Sequence, residues 1–331
     1  MKQTYRCVVL DPKTKSLAVV EKEIPKLKSH EVLVRVWGSP INPSDRLFSQ
    51  GLYGIPVSTP ITPGFEGTGS VVDCGKSFWA KRLMGKNISG AVQGGDGFWA
   101  EYVVLPAQQS LVLDPLILQE TAACAFVNPL TALALMEPIQ RGIFPSFLQT
   151  AAASQLGRMI QRMSQKAGVP CVHVVHRASL KQELESQGWQ NVIDSSQSGF
   201  ENELRDLTHQ LNIRYAIDAV AGAMTGNLVR NLPEQSQVVV YGVLSGETCL
   251  VDPGDLIFKN QQIKGFWLSH WIKNKKFVEL PFLFRRLKKF LKTEGQTQVA
   301  RRLSLEEAIE EIKNPKGNAS AGKILVMPGL G

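Results

Sequence analysis

From about Gln119 onward the chain alternates short apolar runs with longer stretches that suit helices, and this pattern restricts the fold more than any other feature. The clearest apolar runs are residues 172–175, 216–220 and 238–241. Strands that are separated by helices pair in parallel through right-handed crossovers. The pattern therefore predicts an α/β fold with a doubly wound parallel sheet.

The first part of the chain has a different texture. Up to about residue 115, short strand-like runs such as 32–36 and 69–72 alternate with turns that are rich in glycine and proline. After Trp271 the sequence predicts a basic amphipathic helix and a last strand over residues 323–326. A chain of 331 residues is long enough for two domains with separate cores. A β-rich domain next to the doubly wound one is therefore expected.

Composition bears on where such a chain works. Its hydrophobic content of 44% and charged content of 20% are ordinary for a soluble globular protein. It has no run of about 18 apolar residues, which is the length that a membrane span needs. Residues 1–6 lead directly into the strand-like residues 7–10, so we expect no signal peptide and predict a cytoplasmic location. A processed mature chain would look the same.

The cysteines and the net charge narrow the choice of ligands. Cys7, Cys74, Cys124, Cys171 and Cys249 are scattered, without a CxxC pair or a metal-ligand spacing, which predicts buried free thiols. The formal net charge of +8 indicates an acidic partner. Because there is no nucleic-acid motif and no long basic block, we expect a phosphorylated cofactor and substrate rather than nucleic acid or a membrane.

The turn before the first helix of the predicted sheet carries the most informative motif. A dinucleotide-binding turn has the pattern Gly-x-Gly-x-x-Gly between a strand and a helix. Here the three positions are Ala152, Ser154 and Gly157, and a helix is predicted from there to about Ala167. Amides at the start of such a helix can hold a pyrophosphate, and the Ser154 hydroxyl can add a donor. A generic turn of small residues stays open as the alternative.

The end of the second strand of this sheet indicates which dinucleotide is used. An NAD-binding chain has an acidic residue about 20 positions after the turn, where it bonds the ribose 2′-hydroxyl. This chain has His176 and Arg177 there, and Arg177 can pair bidentately with a 2′-phosphate. NADPH is therefore the predicted cofactor. The alternative for Arg177 is a solvated strand end.

Six segments resemble a known family. Residues 42–45, 50–54 and 63–67 resemble the N-terminal domain of quinone-reductase-like members of the medium-chain dehydrogenase/reductase superfamily. Residues 127–132, 241–242 and above all 265–271, Gly-Phe-Trp-Leu-Ser-His-Trp, resemble the mitochondrial-type 2-enoyl thioester reductases, enzymes of fatty acid metabolism. The resemblance covers nearly the whole chain.

The resemblance implies a GroES-like substrate domain over residues 1–118 and 272–331, and a Rossmann cofactor domain over 119–271, with the cofactor in the cleft between them. It implies that Tyr53 is the catalytic acid. Three positions depart from the family pattern: Gln155 replaces a glycine, Ala178 replaces a basic residue, and Lys323 lies one position from a cofactor lysine, so that contact is not carried over. The implied cofactor-binding residues are Asn42, Asn128, Thr131, Ala153, Ser154, Gln155, Leu156, Gly157, His176, Arg177, Tyr241, Gly242, Val243, Leu244, Phe266, Trp267, Leu268 and Ser269.

Zinc is not expected. Zinc-dependent members of the superfamily have a cysteine near Asn42, a histidine at the position of residue 65, and a lobe of four cysteines. This chain has Pro43 or Ser44 and then Phe65 at those places, and no cysteine cluster. A catalytic zinc needs three protein ligands and an open position, so we predict that no metal is bound.

The chemistry that the resemblance implies is hydride transfer to the β-carbon of an activated double bond, followed by protonation of the α-carbon. A hydrogen-bond donor must meet the charge that develops on the carbonyl oxygen. Tyr53 is the candidate donor, because a tyrosine with its ordinary pKa of about 10 is protonated at neutral pH. The alternative is that its ring only packs on the proline-rich loop.

Other residues allow two interpretations each. Trp99 and Trp267 are candidate walls of the substrate pocket, although large aromatic side chains more often lie in a core. His173 is predicted to be an interior histidine, and His270 to belong to a strand edge. The basic helix around residues 284–290 is either a solvated face or a docking surface for an acidic acyl carrier or the phosphates of CoA.

Three functions stay open at this point. The leading one is an NADPH-dependent reductase of 2-enoyl thioesters carried by CoA or by acyl carrier protein. The second is an NADPH:quinone or alkenal/enone oxidoreductase. The third is a catalytically degenerate NADPH-binding protein, which would be consistent with the absence of the first two glycines of the dinucleotide-binding pattern. The resemblance also implies a homodimer through an edge strand at residues 266–271.

Overall fold

The computed structural model describes residues 4–92, 94–316 and 320–330. The chain divides into two compact units, Met1–Leu130 with Val278–Gly331, and Thr131–Phe277. These boundaries fall later along the chain than the predicted ones, and the assignment of a function to each domain stays a prediction. None of the helices in the described part of the chain has the length and apolar character that crossing a membrane requires.

Strands and helices of the described residues follow one another from Thr4 to Val326. The strands are β1 Thr4–Asp11, β2 Ser16–Glu23, β3 Glu31–Pro40, β4 Glu66–Cys74, β5 Asn87–Ala91, β6 Tyr102–Pro106, β7 Ser110–Val112, β8 Phe147–Gln149, β9 Cys171–Val175, β10 Val192–Asp194, β11 Tyr215–Asp218, β12 Gln237–Val240, β13 Gln262–Gly265, β14 Val299–Leu303 and β15 Lys323–Val326. The helices are α1 Pro43–Ser49, α2 Phe78–Lys81, α3 Gln119–Ala123, α4 Val127–Leu135, α5 Glu137–Gln140, α6 Gln155–Ala167, α7 Ala178–Ser186, α8 Phe200–Gln210, α9 Ala223–Asn231, α10 Pro253–Phe258, α11 Leu268–Lys273, α12 Leu280–Leu291 and α13 Leu305–Lys313, with short 3-10 turns at Ala107–Gln109 and Phe277–Glu279.

The first unit is built on a sheet in the order β14-β15-β3-β4-β5-β7, with β6 also pairing β3, while β1 and β2 form a separate antiparallel pair. Its central strand β3 has two faces. Val32, Val34 and Val36 point into a buried cluster, whereas Arg35 between them is exposed. One face of β3 therefore covers this core, and the other is mixed, because it carries the exposed Arg35 beside the buried Leu33 and the half-buried Trp37.

The second unit contains a six-stranded sheet in which every neighbouring pair is parallel, in the order β10-β9-β8-β11-β12-β13. Counted along the chain this order is 3-2-1-4-5-6, which is that of the dinucleotide-binding doubly wound fold. Leu148, Val172, Ile193, Ala216 and Val238, each from a different strand, share one buried cluster. The predicted α/β fold with a parallel sheet is confirmed.

Several local predictions are also confirmed. The helix predicted to end near Ala167 is α6, and the last predicted strand is β15. His173 is buried on β9, where its Nδ1 lies 2.9 Å from the Gln149 side-chain nitrogen, and burial lowers its pKa to about 3. It is therefore an interior, neutral histidine. All five cysteines are free thiols, but Cys249 is exposed and Cys74 is half-buried, so burial was predicted wrongly for these two.

The predicted edge strand at residues 266–271 is wrong. β13 ends at Gly265, and residues 268–273, including His270, form helix α11. Aromatic residues favour strands, but the neighbouring strand β12 ends at Val240, whose carbonyl accepts the amide of Phe266 at 2.8 Å. Because no strand partner remains beyond this bond, the following backbone groups bond within a helical turn, beginning with the Trp271 amide and the Trp267 carbonyl.

Candidate active site

The turn between β8 and α6 depends on small residues. Ser154 caps the helix, because its Oγ accepts the amide of Gly157 at 3.1 Å. A Cβ added to Gly157 would lie 2.3 Å from the carbonyl oxygen of Ala152, so only glycine allows this approach of helix and turn. The last glycine of the predicted pattern is thus required by packing, while alanine and serine fit at the other two positions. The first amides of α6, as in any α-helix, have no carbonyl acceptor within their own helix.

An arginine that the sequence interpretation did not include supports this turn. Arg158 donates from Nε to the carbonyl of Ala153 at 3.1 Å. Its other guanidinium nitrogens bond Gln187 at 3.0 Å and Glu183 at 2.6 Å, at the far end of α7. The turn is therefore tied to the helix that follows β9.

Four of the predicted cofactor segments lie at one edge of the sheet. Residues 152–157 follow β8, His176 and Arg177 follow β9, residues 241–244 follow β12, and residues 266–269 follow β13. In a parallel sheet the carboxyl ends of all strands meet at the same edge. The strand order reverses between β8 and β11, and doubly wound sheets bind their ligands in the crevice outside such a reversal.

A buried carboxylate braces this reversal point, and the sequence interpretation missed it. Asp218, at the end of β11, is fully buried. Its Oδ1 accepts the Thr150 hydroxyl and the Val220 amide, each at 2.8 Å. Its Oδ2 accepts the Thr225 hydroxyl at 2.7 Å and the Ala221 amide at 3.3 Å. Since Thr150 directly follows β8, the network joins the two strands between which the order reverses.

Residues 241–244 are held against the same strand end. The Tyr241 amide donates to the Asp218 carbonyl at 2.9 Å, and the Leu244 amide donates to the Ala219 carbonyl at 3.0 Å. A Cβ on Gly242 would lie 2.7 Å from that Ala219 oxygen, so the close approach requires glycine. Tyr241, Gly242 and Val243 are half-buried, whereas Leu244 is exposed.

The basic pair after β9 is exposed. His176 Nδ1 lies 3.0 Å from the Ser195 hydroxyl, and Arg177 precedes α7 in an extended conformation. Asp194, at the end of the neighbouring strand β10, is buried and accepts the amide and the hydroxyl of Ser196. The side chains of His176 and Arg177 are both exposed to solvent at this strand end.

The remaining predicted contacts differ in accessibility. Trp267 is 40% exposed, and Phe266, Leu268 and Ser269 are half-buried. On helix α4, Asn128 is half-buried and Thr131 is 7% exposed. Trp99 is fully buried and packs with Val8 and Ile41 in the core of the first unit. The interpretation of Trp99 as a pocket wall is therefore wrong, and the core alternative is correct.

Tyr53 lies in the first unit on the loop after α1. Its ring is half-buried and packs on Phe65 with centroids 5.0 Å apart, and Phe48 also contacts Phe65, edge-on with centroids 5.2 Å apart. Gly51 has a φ of +71°, which favours glycine, but Gly54 has a negative φ and no atom within 4 Å of a would-be Cβ. Only the first glycine of the Gln-Gly-x-Tyr-Gly segment is thus required by the backbone.

A buried polar cluster holds the backbone of Phe65, the residue whose ring packs on Tyr53. Asp45 accepts the Phe65 amide at 3.1 Å and the Asn42 amide at 2.8 Å, and burial raises its pKa to about 7. The Asn42 side chain donates to Glu66 at 2.9 Å and accepts from the ammonium of Lys323. Asn42 is 1% exposed and engaged within the first unit, and its predicted contact with the cofactor stays a prediction.

Metal ligands are not grouped anywhere in the described residues: no three His, Cys, Asp or Glu side chains could hold an ion together. We expect activity to survive treatment with a strong chelator, because none of the predicted chemistry uses a metal. Elemental analysis after purification should find zinc far below one atom per chain. A stoichiometric tetrahedral zinc would contradict this prediction.

Comparison with known proteins agrees with this geometry. The model of the alcohol dehydrogenase GroES-like domain matches residues 28–115, and that of the zinc-binding dehydrogenase family matches residues 156–283. The mitochondrial enoyl acyl-carrier-protein reductase of Xenopus tropicalis is 31% identical over 255 residues, which are 74% of this chain and 71% of that protein. The chain belongs to the medium-chain dehydrogenase/reductase superfamily. It is therefore an oxidoreductase.

Solved structures of the superfamily have the same fold. A crystal structure from Mesorhizobium loti, described as that of a candidate NADPH:quinone reductase, is 29% identical, covers 99% of both chains and has a TM-score of 0.88. A mutant enoyl thioester reductase from Candida tropicalis covers 98% of this chain and 99% of its own, with a TM-score of 0.79. At 20% identity the second likeness concerns the fold alone.

Proposed function

We propose that this chain is an NADPH-dependent reductase that reduces the activated double bond of a 2-enoyl thioester. The observation that carries the proposal is the strand-order reversal of the second unit, with four of the predicted cofactor segments directly after its strands β8, β9, β12 and β13 and a basic pair after β9. The substrate class is supported by the 31% identity to an enoyl acyl-carrier-protein reductase and by the motif at residues 265–271.

The residues of the second unit fit a dinucleotide with a 2′-phosphate. The turn capped by Ser154 presents the start of α6 to a pyrophosphate. The exposed Arg177 supplies charge for the 2′-phosphate, and Gly242 lets residues 241–244 lie close against β11. When bound, NADPH supplies the hydride, and the protein supplies position and polarisation.

Arg177→Asp should remove a preference for NADPH over NADH. A charge-assisted pair contributes about 1.5–3 kcal/mol, so the KM for NADPH should rise by an order of magnitude or more while the KM for NADH changes little. Steady-state kinetics with both cofactors checks this. The matched control is Arg214→Asp, at an exposed arginine before β11. Equal use of the two cofactors by the unaltered protein would contradict the prediction.

Tyr53 acts on the substrate in this proposal. Its hydroxyl donates to the thioester carbonyl oxygen as negative charge develops there, and it is the candidate source of the proton for the α-carbon. The cluster of Asp45, Asn42 and Glu66 fixes the backbone at Phe65, and the Phe65 ring supports the tyrosine ring. These residues would orient the donor without contacting the substrate.

A quinone or enone reductase is the second candidate, favoured by the likeness to the Mesorhizobium loti structure. Measuring the turnover of crotonyl-CoA, a simple quinone and an enone under identical conditions distinguishes these candidate functions. We expect crotonyl-CoA to give the highest kcat/KM. Turnover confined to quinone and enone would replace the proposal with the second candidate, and NADPH binding without any turnover would leave a degenerate binding protein.

A carrier-bound substrate is supported by the exposed face of α12. Arg285 and Lys289 are exposed and Lys288 is half-buried, while Leu283 and Leu287 on the other face are buried. Within the described residues, none of these three cations has an acidic partner at ion-pair distance. We define Arg285, Lys288 and Lys289 as the α12 basic face, which suits an acidic carrier protein.

Reversing charge on the α12 basic face should raise the KM for a carrier-bound substrate. The double variant Arg285→Glu with Lys289→Glu should raise the KM for crotonyl-acyl-carrier protein about tenfold, because like charges then oppose docking. The KM for crotonyl-pantetheine, which has no phosphate, should not change. The control pair is Lys81→Glu with Arg82→Glu, exposed in the same unit. An unchanged KM for the carrier-bound substrate would favour CoA as the carrier.

The domain roles and the assembly are also proposed. Residues 1–118 and 272–331 would bind the substrate and residues 119–271 the cofactor, as the positions of Tyr53 and the cofactor segments support. A homodimer would form through β13, which is the outermost strand of its sheet in the described residues and therefore presents an open edge.

A further inference from the structure

A groove of about 870 Å³ opens on the first unit, and none of the predicted site residues lines it. Its floor is the outer face of β3, β4 and β5. One wall is the segment of residues 112–122 and the other is formed by residues 327–330. We call it the outer groove. Its volume is within the range of small-molecule sites, roughly 300–1,000 Å³.

A polar row crosses the floor of the outer groove. Arg35 on β3 is paired in register with Ser70 on β4 and with Tyr102 on β6, and Ser70 is paired with Asn87 on β5. Side chains at paired positions of antiparallel strands point to the same face. The Ser70 hydroxyl donates to the Asn87 side-chain oxygen at 2.6 Å. This bond leaves the side-chain nitrogen of Asn87 as a hydrogen-bond donor for a ligand in the groove.

The outer groove has a small excess of positive charge. Arg35 and Lys86 line it, and among the described residues neither has an acidic group at ion-pair distance. Two carboxylates also line it. Glu101 accepts a backbone amide at 2.8 Å and keeps its negative charge, whereas Asp114 pairs with Lys292, so these lining residues together with Lys292 have an excess of one positive charge.

Apolar side chains form much of the remaining surface. Trp37 is half-buried and packs beside Met327, and Ile117, Pro115 and Leu330 line the groove with them. Leu330 is 46% exposed, although a leucine gains free energy when it is covered. The groove thus combines a polar row on its floor, in which Arg35 is the cation, with apolar walls.

We propose that the outer groove binds an amphiphilic organic anion, a carboxylate on a hydrocarbon chain. The planar guanidinium of Arg35 matches a carboxylate with two parallel hydrogen bonds, and the Tyr102 hydroxyl and the Asn87 amide are donors in the same row. The hydrocarbon chain lies along Trp37 and Leu330. This site is separate from the reductase residues and does not depend on the proposed reaction.

Isothermal titration calorimetry of the full chain with octanoate tests the proposal. We expect one octanoate per chain, and binding weakened about tenfold or more for acetate, which lacks the chain, and for 1-octanol, which lacks the charge. Arg35→Gln should weaken octanoate binding about tenfold or more, in line with loss of a charged hydrogen-bond pair. Lys86→Gln is the second variant, with a smaller loss expected. Arg82→Gln, exposed in the same unit but outside the groove, should bind octanoate as the unaltered chain does.

Kinetics separate this groove from the reductase site. Arg35→Gln should keep the kcat and KM for crotonyl-CoA, and octanoate should not compete with that substrate. Absence of octanoate binding, or binding that Arg35→Gln leaves unchanged, would overturn the proposal. Octanoate that competes with crotonyl-CoA would assign the binding to the reductase site instead. Failure of the chain to reduce any substrate would leave the calorimetric result standing.

Discussion

Tyr53→Phe is expected to lower kcat on crotonyl-CoA by about 10²–10³, because loss of one donor to a developing oxyanion has effects of this size. The substitution removes only the hydroxyl. The ring packing on Phe65, at 5.0 Å between centroids, is kept, so the loop should retain its conformation. Steady-state kinetics gives kcat, and fluorescence titration should give an unchanged Kd for NADPH.

The control for this prediction is Tyr102→Phe, at another half-buried tyrosine of the same unit that lies on β6. It should leave kcat on crotonyl-CoA unchanged. Nearly full kcat in Tyr53→Phe would mean that Tyr53 is structural. The hypothesis of a quinone reductase, in which hydride transfer needs no dedicated acid, would then account for the site better than that of an enoyl thioester reductase.

The doubly wound sheet could be predicted because its inner strands, such as β9 and β11, are buried on both faces. Such strands appear as short continuous apolar runs, and β9, β11 and β12 overlap the runs seen at residues 172–175, 216–220 and 238–241. Gly157 could be predicted for a related reason, since a Cβ there would lie 2.3 Å from a carbonyl oxygen. A steric requirement between residues this close in sequence fixes the residue type, so it can be recognised from the sequence alone.

Residues 266–271 show where such prediction ends. Their aromatic side chains suit a strand, but the conformation of the segment is decided by its neighbour, because β12 offers no carbonyl beyond Val240. The length of an adjacent strand, which begins almost 30 positions earlier, cannot be read from the segment itself. Tertiary context therefore overrides strand propensity at this point.

Asp218 could not be recognised from the sequence for a similar reason. One aspartate after an apolar run is equally compatible with a solvated turn. Its structural role depends on Thr150, 68 positions earlier, and on Thr225, because the fold brings both hydroxyls to the same carboxylate. Arg158 likewise acts on the turn at Ala153 through partners on α7.

Asp218→Ala is expected to destabilise the second unit by about 4 kcal/mol. The substitution leaves two hydroxyls and two amides without their acceptor in a fully buried place, and each unsatisfied buried donor costs about 1–3 kcal/mol before relaxation. Because the network joins the ends of β8 and β11, the Kd for NADPH should also rise. Urea unfolding of the second unit and a fluorescence titration measure the two effects.

Two further variants make the assignment of this network specific. Thr150→Val removes one arm of the network and should cost about 1–2 kcal/mol, while Asp206→Ala, at an exposed aspartate on α8, should change neither stability nor the Kd. If Asp218→Ala unfolded at the same urea concentration as the unaltered chain, the carboxylate would not be what holds the two strand ends together. The crevice would then have to be shaped by the close contacts at Gly157 and Gly242 alone.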